Sequence, residues 1–295
     1  MTYRFNSSCL LFVGLAFVTW ASRAQISLTD DLNRAITLTA PAQRVVSLAP
    51  SITETLFAIG AGDQIVGVTD YCNYPEPTRA KKRVGGITNP SIEAVVGLNP
   101  DLLIVSMEGN VREDFVKLTG LGVPVFVSNP RTLRGIYKSI NDLGLLTGRT
   151  AEARRLEQSM QSRETAITAS TEMRIQRKVM LVVSLQPLIV VGSGTFLSEL
   201  LDLASAENIA RGSASSYPTY SRETVLAQDP DVIIIMSGLM PDPGELIRLF
   251  PEWQRLSAIK HENVFDIDAD IVSRPGPRAI DALETLYTIV HRKAK

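Results

Sequence analysis

Cysteine and histidine are almost missing from this chain: Cys9, Cys72, His261 and His291 are the whole supply. Cys9 falls in a segment that reads as removed, so no intrachain disulfide is expected, and two histidines are too few for a histidine-rich metal site. An excess of either charge is missing as well. The 30 basic and 31 acidic side chains leave a net charge of −1, which gives no electrostatic reason to expect a nucleic-acid partner. The motifs of common enzymes are also lacking: there is no G-x-S-x-G, H-E-x-x-H, Walker lysine or C-x-x-C. Without a nucleophile beside a base, the chain is not expected to be an enzyme, and neither a metal nor a cofactor of its own is expected.

What is present is an ordinary globular composition, 45% apolar and 21% charged over 295 residues, enough for two domains. Residues 1–24 read as a secretory signal: Arg4 supplies the positive start, Cys9 to Ala21 is apolar, and Ser22-Arg23-Ala24 suits a signal peptidase. The apolar run falls short of the roughly 20 residues that cross a bilayer. An exported, soluble monomer with Cys72 as a free thiol is the expectation, and a cysteine of this kind is more often a small buried residue than a ligand.

Short apolar runs then alternate with segments of helical period. The runs are Arg44–Leu48, Ile65–Val68, Leu102–Val105, Val123–Val127, Val179–Val183, Val232–Met236 and Val264–Ile267. This rhythm predicts α/β structure with parallel sheets buried on both faces. A long helical stretch from about Thr132 to Gln176, interrupted near Gly144 and Gly148, has a charged second part suited to bridging two lobes. The expected organisation is a signal over 1–24, an α/β lobe over 25–150, a bridging helix over 151–177 and a second α/β lobe over 178–295.

An internal repeat supports two lobes of one plan. Residues 92–105 (IEAVVGLNPDLLIV) align without a gap on residues 222–235 (RETVLAQDPDVIII), and a weaker echo pairs 53–65 with 197–209. In each copy a glutamate, Glu93 or Glu223, opens a short helix, Pro-Asp turns the chain and a strand follows. Gly192-Ser193-Gly194 lacks the third glycine of a dinucleotide fingerprint and reads as a turn. The aspartates around 229–231 and 266–270 read as turn and strand-end residues.

Polar and aromatic residues gather where strands end, the place at which open α/β sheets bind ligands. They include Pro50-Ser51, Asp70-Tyr71, Ser216-Tyr217 and Asp270 through Arg274. Tyrosine offers a broad apolar face with a polar tip, suited to a large planar ligand.

Residues 44–86, with Pro50-Ser51, Thr53-Glu54 and Gly67-Val68-Thr69-Asp70-Tyr71, resemble the opening of the helical-backbone (class III) periplasmic substrate-binding proteins of ABC importers. The resemblance extends through Asn99-Pro100-Asp101, Glu207-Asn208-Ile209 and Arg274-Pro275-Gly276-Pro277-Arg278. It is strongest toward the cobalamin-binding members, at 217–226 and at Asp270 with Arg274. It implies two Rossmann-like lobes joined by a long helix, with Pro50, Tyr71, Tyr217, Asp270 and Arg274 lining a cleft for a corrinoid. It also implies that Glu93 and Glu223 dock on the permease dimer of an ABC importer in the periplasm. Ile87 and Ser106 stand where those members carry tryptophans, and Tyr217 replaces another. A haem or iron–siderophore ligand is the alternative, with Tyr71 as the candidate iron ligand.

Overall fold

The computed structural model describes residues 25–107, 112–120, 122–171, 175–238 and 243–292. The expected signal over 1–24 lies outside them, as do residues 172–174 of the connector expected over 151–177; Arg177, expected at the end of that connector, instead opens a strand of the second lobe.

Apolar β-rich runs form two five-stranded sheets. In the first, five parallel strands lie in the order Lys82–Arg83, Ile65–Val68, Val45–Ser47, Leu102–Val105, Val125–Val127. In the second, parallel strands lie in the order Ala206–Asn208, Arg177–Leu185, Val232–Met236, Val264–Ile267, and Leu188–Val190 folds back antiparallel on Arg177–Leu185. Setting aside the Lys82–Arg83 edge and the folded-back Leu188–Val190, both sheets share one order: second strand, first strand, third, fourth. The repeat seen in the sequence is therefore a repeat of topology.

The continuous apolar runs are explained by burial on both faces. Val45, Leu102, Ile104 and Phe126 face one way, while Val46, Leu103, Val105 and Val127 face the other, and all are buried. Val179, Leu181, Val232 and Ile234 alternate in the same way with Met180, Val182, Ile233 and Ile235. One face of each sheet belongs to a single continuous core, completed by the helices Leu133–Thr147, Thr150–Thr171, Phe196–Leu203 and Ala279–Val290. The two lobes thus share apolar packing, which resists their separation.

The Thr150–Thr171 helix buries only Ala153, Met160 and Ile167, a sevenfold spacing that draws a narrow stripe along a charged helix. Leu156 adds a partly buried apolar contact, and polar contacts reach both ways. Glu164 accepts from Tyr137 Oη (2.7 Å) and Glu157 from Asn141 (2.8 Å) on the Leu133–Thr147 helix. Arg163 reaches Asp281 and Glu284, each at 2.6 Å, on the Ala279–Val290 helix. The hydrogen bond from Arg163 holds the Glu284 carboxyl below its ordinary pKa.

One expected break is absent. Gly144 does not interrupt its helix, which runs on to Thr147. A Cβ at Gly144 would stand 2.5 Å from Ala153 Cβ, so this glycine is there for close helix packing. Gly148 does end the helix, at φ 72°, a left-handed conformation that favours glycine. The sequence reading also passed over Ala206–Asn208, Leu188–Val190 and an antiparallel hairpin of Ile26–Thr29 with Ala35–Leu38, all short. The Gly192-Ser193-Gly194 segment is a turn, as expected, with Gly194 at φ 71°.

Candidate functional site: a cleft between two sheet edges

In each sheet the chain leaves the first strand toward one side and the third toward the other, and the gap between those two strand ends is the natural ligand crevice. In the first lobe the gap is lined by Ala49, Pro50 and Ser51 after the first strand and by Ser106 after the third. Tyr71 and Ile87 form its rim, and Asp270, Ser273, Arg274 and Pro275 close it from the second lobe, enclosing about 320 Å³. A second cavity of about 130 Å³ lies against the second sheet, between Val183, Met236, Phe196 and Tyr217. Ser273 and Pro275 line both cavities, so the two form one cleft.

All five cleft residues expected from the sequence are brought to this place. Tyr71 is 61% exposed and Tyr217 50%. Pro50 begins the Pro50–Ala58 helix, whose preceding residue, Ala49, gives no side-chain cap. Proline fits the first helical position because its missing N–H is not needed there. Ile87 and Ser106 do line the cleft, so this wall is aliphatic and hydroxylic.

Asp270 sits in the short Ala269–Val272 helix, capped by Asp268, which accepts from the Asp270 N–H at 2.8 Å. Arg274 follows one turn later, and its side chain is only 10% exposed. Its Nη2 meets Asp270 at 2.6 Å, and its Nη1 donates to Glu54 (2.9 Å) and to Asn73 (2.7 Å). Asn73 in turn donates to Asp270 at 2.8 Å. Arg278 grips Glu54 through two hydrogen bonds of 2.7 Å and lies 4.3 Å from the centre of the Tyr74 ring. Glu54, with a side chain 2% exposed, is the hub of this network, and its hydrogen bonds raise the pKa of Arg278. A buried carboxylate needs such partners. The sequence reading named Glu54 only as part of a motif and did not mark Asn73 as part of the site; nothing in local periodicity announces a pairing over more than 200 residues.

Two further contacts tie the lobes. A Cβ at Gly276 would come within 3.2 Å of Ser51 O, so backbone meets backbone there. Glu199 of the second lobe accepts from the N–H of Leu133 at 2.7 Å. Burial, only partly offset by that hydrogen bond, holds Glu199 above the ordinary carboxylate range.

Cys72 stands next to Tyr71 in sequence but points away from solvent, fully buried, with Thr53 and Thr69 hydroxyls each 3.2 Å from its sulfur. The thiol packs as a small core residue. No group of three or more metal-ligating side chains is found among the described residues.

Glu93 and Glu223 lie outside the cleft. Both are exposed in the first turn of a short helix, behind serine caps: Ser91 accepts from Ala94 N (3.2 Å) and Ser221 from Thr224 N (3.1 Å). Each helix precedes the third strand of its sheet, so its first turn lies at the strand-end edge, the same edge as the cleft.

Comparison with known proteins agrees with this architecture. The chain is 31% identical over 275 residues to an ABC transporter substrate-binding lipoprotein of Bacillus subtilis whose role is uncharacterised, covering 90% of this chain and 85% of that one. The structure superposes with a TM-score of 0.76 on the periplasmic vitamin B12-binding protein of Vibrio cholerae, at 30% identity, covering 85% and 97% of the two chains. It superposes equally, at 0.76 and 26% identity, on a periplasmic haem-binding protein of Pseudomonas aeruginosa, covering 86% and 94%. Residues 45–271 match the periplasmic binding protein family as a whole, and the chain belongs to that family.

Proposed function

We propose that this protein captures a corrinoid in the cleft between its lobes and hands it to an ABC importer. The observation that carries the reading is the convergence of Pro50, Tyr71, Tyr217, Asp270 and Arg274 on one continuous cleft at the strand-end edges of both sheets. Tyr71 and Tyr217 would cover the faces of the macrocycle, and Ser51, Ser106 and Ser273 with Asp270 would pair with its amide rim, since buried amides left unpaired are costly. The protein would act by binding, in the periplasm after removal of residues 1–24, with its ligand as cargo. Two lobes already sharing a core need little ordering on binding.

Titration of the purified chain with cobinamide or cyanocobalamin tests this. One ligand per chain is expected, weakened by about 1–3 kcal/mol when Tyr217 becomes alanine, the scale of one lost aromatic face. Absence of heat and of any thermal shift with both corrinoids would reject the reading, and a Soret band in the protein purified from its native periplasm would assign haem instead.

A further inference from the structure

We propose that Glu54, a residue outside the cleft, sets the charge selectivity of the cleft in favour of uncharged, amide-bearing macrocycles and against polycarboxylate ones. The inference rests on the ligand-binding role proposed for the cleft. Among the described cleft-lining residues Arg274 is the sole cation and Asp270 the sole carboxylate, and they are paired with each other. Behind them Glu54 holds both Arg274 and Arg278. These four charges, Glu54 and Asp270 against Arg274 and Arg278, balance one another, and Asp268 adds a further negative charge that acts on Arg278.

An arginine that receives a ligand carboxylate presents a fork of N–H groups to it. Both N–H groups of Arg274 Nη1 are given to Glu54 and Asn73, and Nη2 faces Asp270. A carboxylate entering the cleft would compete with two built-in carboxylates that bracket the cation, one of them almost fully buried and unable to move away. A ligand amide meets no such competition, because Asp270 accepts from its N–H and the serine hydroxyls serve both of its groups. Glu54 is therefore a positioning residue: it acts through Arg274 and lines a separate cavity of about 280 Å³, with Tyr74 and Arg278, rather than the one that Tyr71 and Ser106 line.

The test compares one macrocycle in two charge states, cobinamide with its amide arms and cobyrinic acid with carboxylates in their place, across a series of salt concentrations. The native protein should prefer cobinamide by at least tenfold, with little effect of salt. Glu54→Gln removes one negative charge from beside the two arginines, and should shift the preference about tenfold toward the acid and make acid binding fall with salt. Asp270→Asn, a change at a half-exposed position, should shift the ratio in the same direction and serves if the Glu54 variant does not fold. Equal binding of the two forms by the native protein, or an unchanged ratio in a folded Glu54→Gln variant whatever Asp270→Asn does, would overturn the inference while leaving corrinoid binding intact. If neither corrinoid binds, the proposed ligand is wrong, and the pair haem and haem dimethyl ester then decides: native preference for the ester supports charge selection, and preference for the acid overturns it.

Discussion

Asn99 and Asp229 adopt the same left-handed backbone conformation, each at φ 45°, at matching places in the two lobes. The equivalence extends to their neighbours. Asp101 N–H donates to Arg44 O at 2.9 Å and its carboxylate accepts from Arg44 N at 2.9 Å; Asp231 does the same with Lys178, at 2.8 and 2.9 Å. Arg44 reaches the Leu98 carbonyl (2.6 Å), and Lys178 reaches that of Gln228 (3.3 Å), the residue in the same place. Register agrees too, with Val45 opposite Leu102 and Val179 opposite Val232. Asparagine and aspartate tolerate the left-handed region better than other non-glycine residues, which is why the N-P-D and D-P-D turns can be built alike.

That equivalence makes Glu93 and Glu223 candidates for a symmetric partner. Alanine at both positions should leave ligand affinity unchanged and impair uptake, with the double variant worse than either single one, since charge-assisted pairs at a docking surface act on association and not on the cleft. Uptake assays beside calorimetry check it. Normal uptake by the double variant would reduce the pair to helix-start residues favoured by the macrodipole.

Gly144→Ala sets two effects against each other. Alanine gains up to about 1 kcal/mol of helix propensity, but its methyl would have to push the Thr150–Thr171 helix away at Ala153, an overpacking cost of about 1–3 kcal/mol. The cost wins because both contacting atoms are Cβ atoms fixed to helices. A net loss of about 1 kcal/mol in denaturant unfolding is expected.

Glu199→Gln should stabilise the protein at neutral pH. Burial raises the folded pKa of Glu199 above its ordinary 4.5, so its penalty is fully present above the folded pKa and vanishes below the unfolded value. Glutamine keeps an oxygen for the Leu133 N–H. Melting curves should show the variant ahead at pH 7 and the advantage gone once the pH falls below about 4; equal melting at both would argue that the carboxylate is well solvated.

Shared packing and the contacts of Arg163, Glu54 and Glu199 across the lobes predict a small change of shape on binding. The Thr150–Thr171 helix has 22 residues, about 33 Å at 1.5 Å each. Small-angle scattering should give nearly the same radius of gyration with and without ligand, whereas a contraction of several ångströms would place hinge motion at the centre of the mechanism.

By itself the sequence determined the α/β class, the main strands and the two-lobe repeat. Strands such as Leu102–Val105 and Val232–Met236 are continuous apolar runs because both their faces are buried, and the repeated Pro-Asp turns are local signals. It also placed Pro50, Tyr71, Tyr217, Asp270 and Arg274 at strand ends, although their joint role in a cleft came from family resemblance. Only the tertiary structure decided what these residues do to one another. Glu54 is distant in sequence from Arg274 and Arg278, and Gly144 looks like a helix breaker until Ala153 is packed on it. Charge pairing and close approach depend on through-space distance, which hydrophobic period and turn chemistry, both local, do not encode.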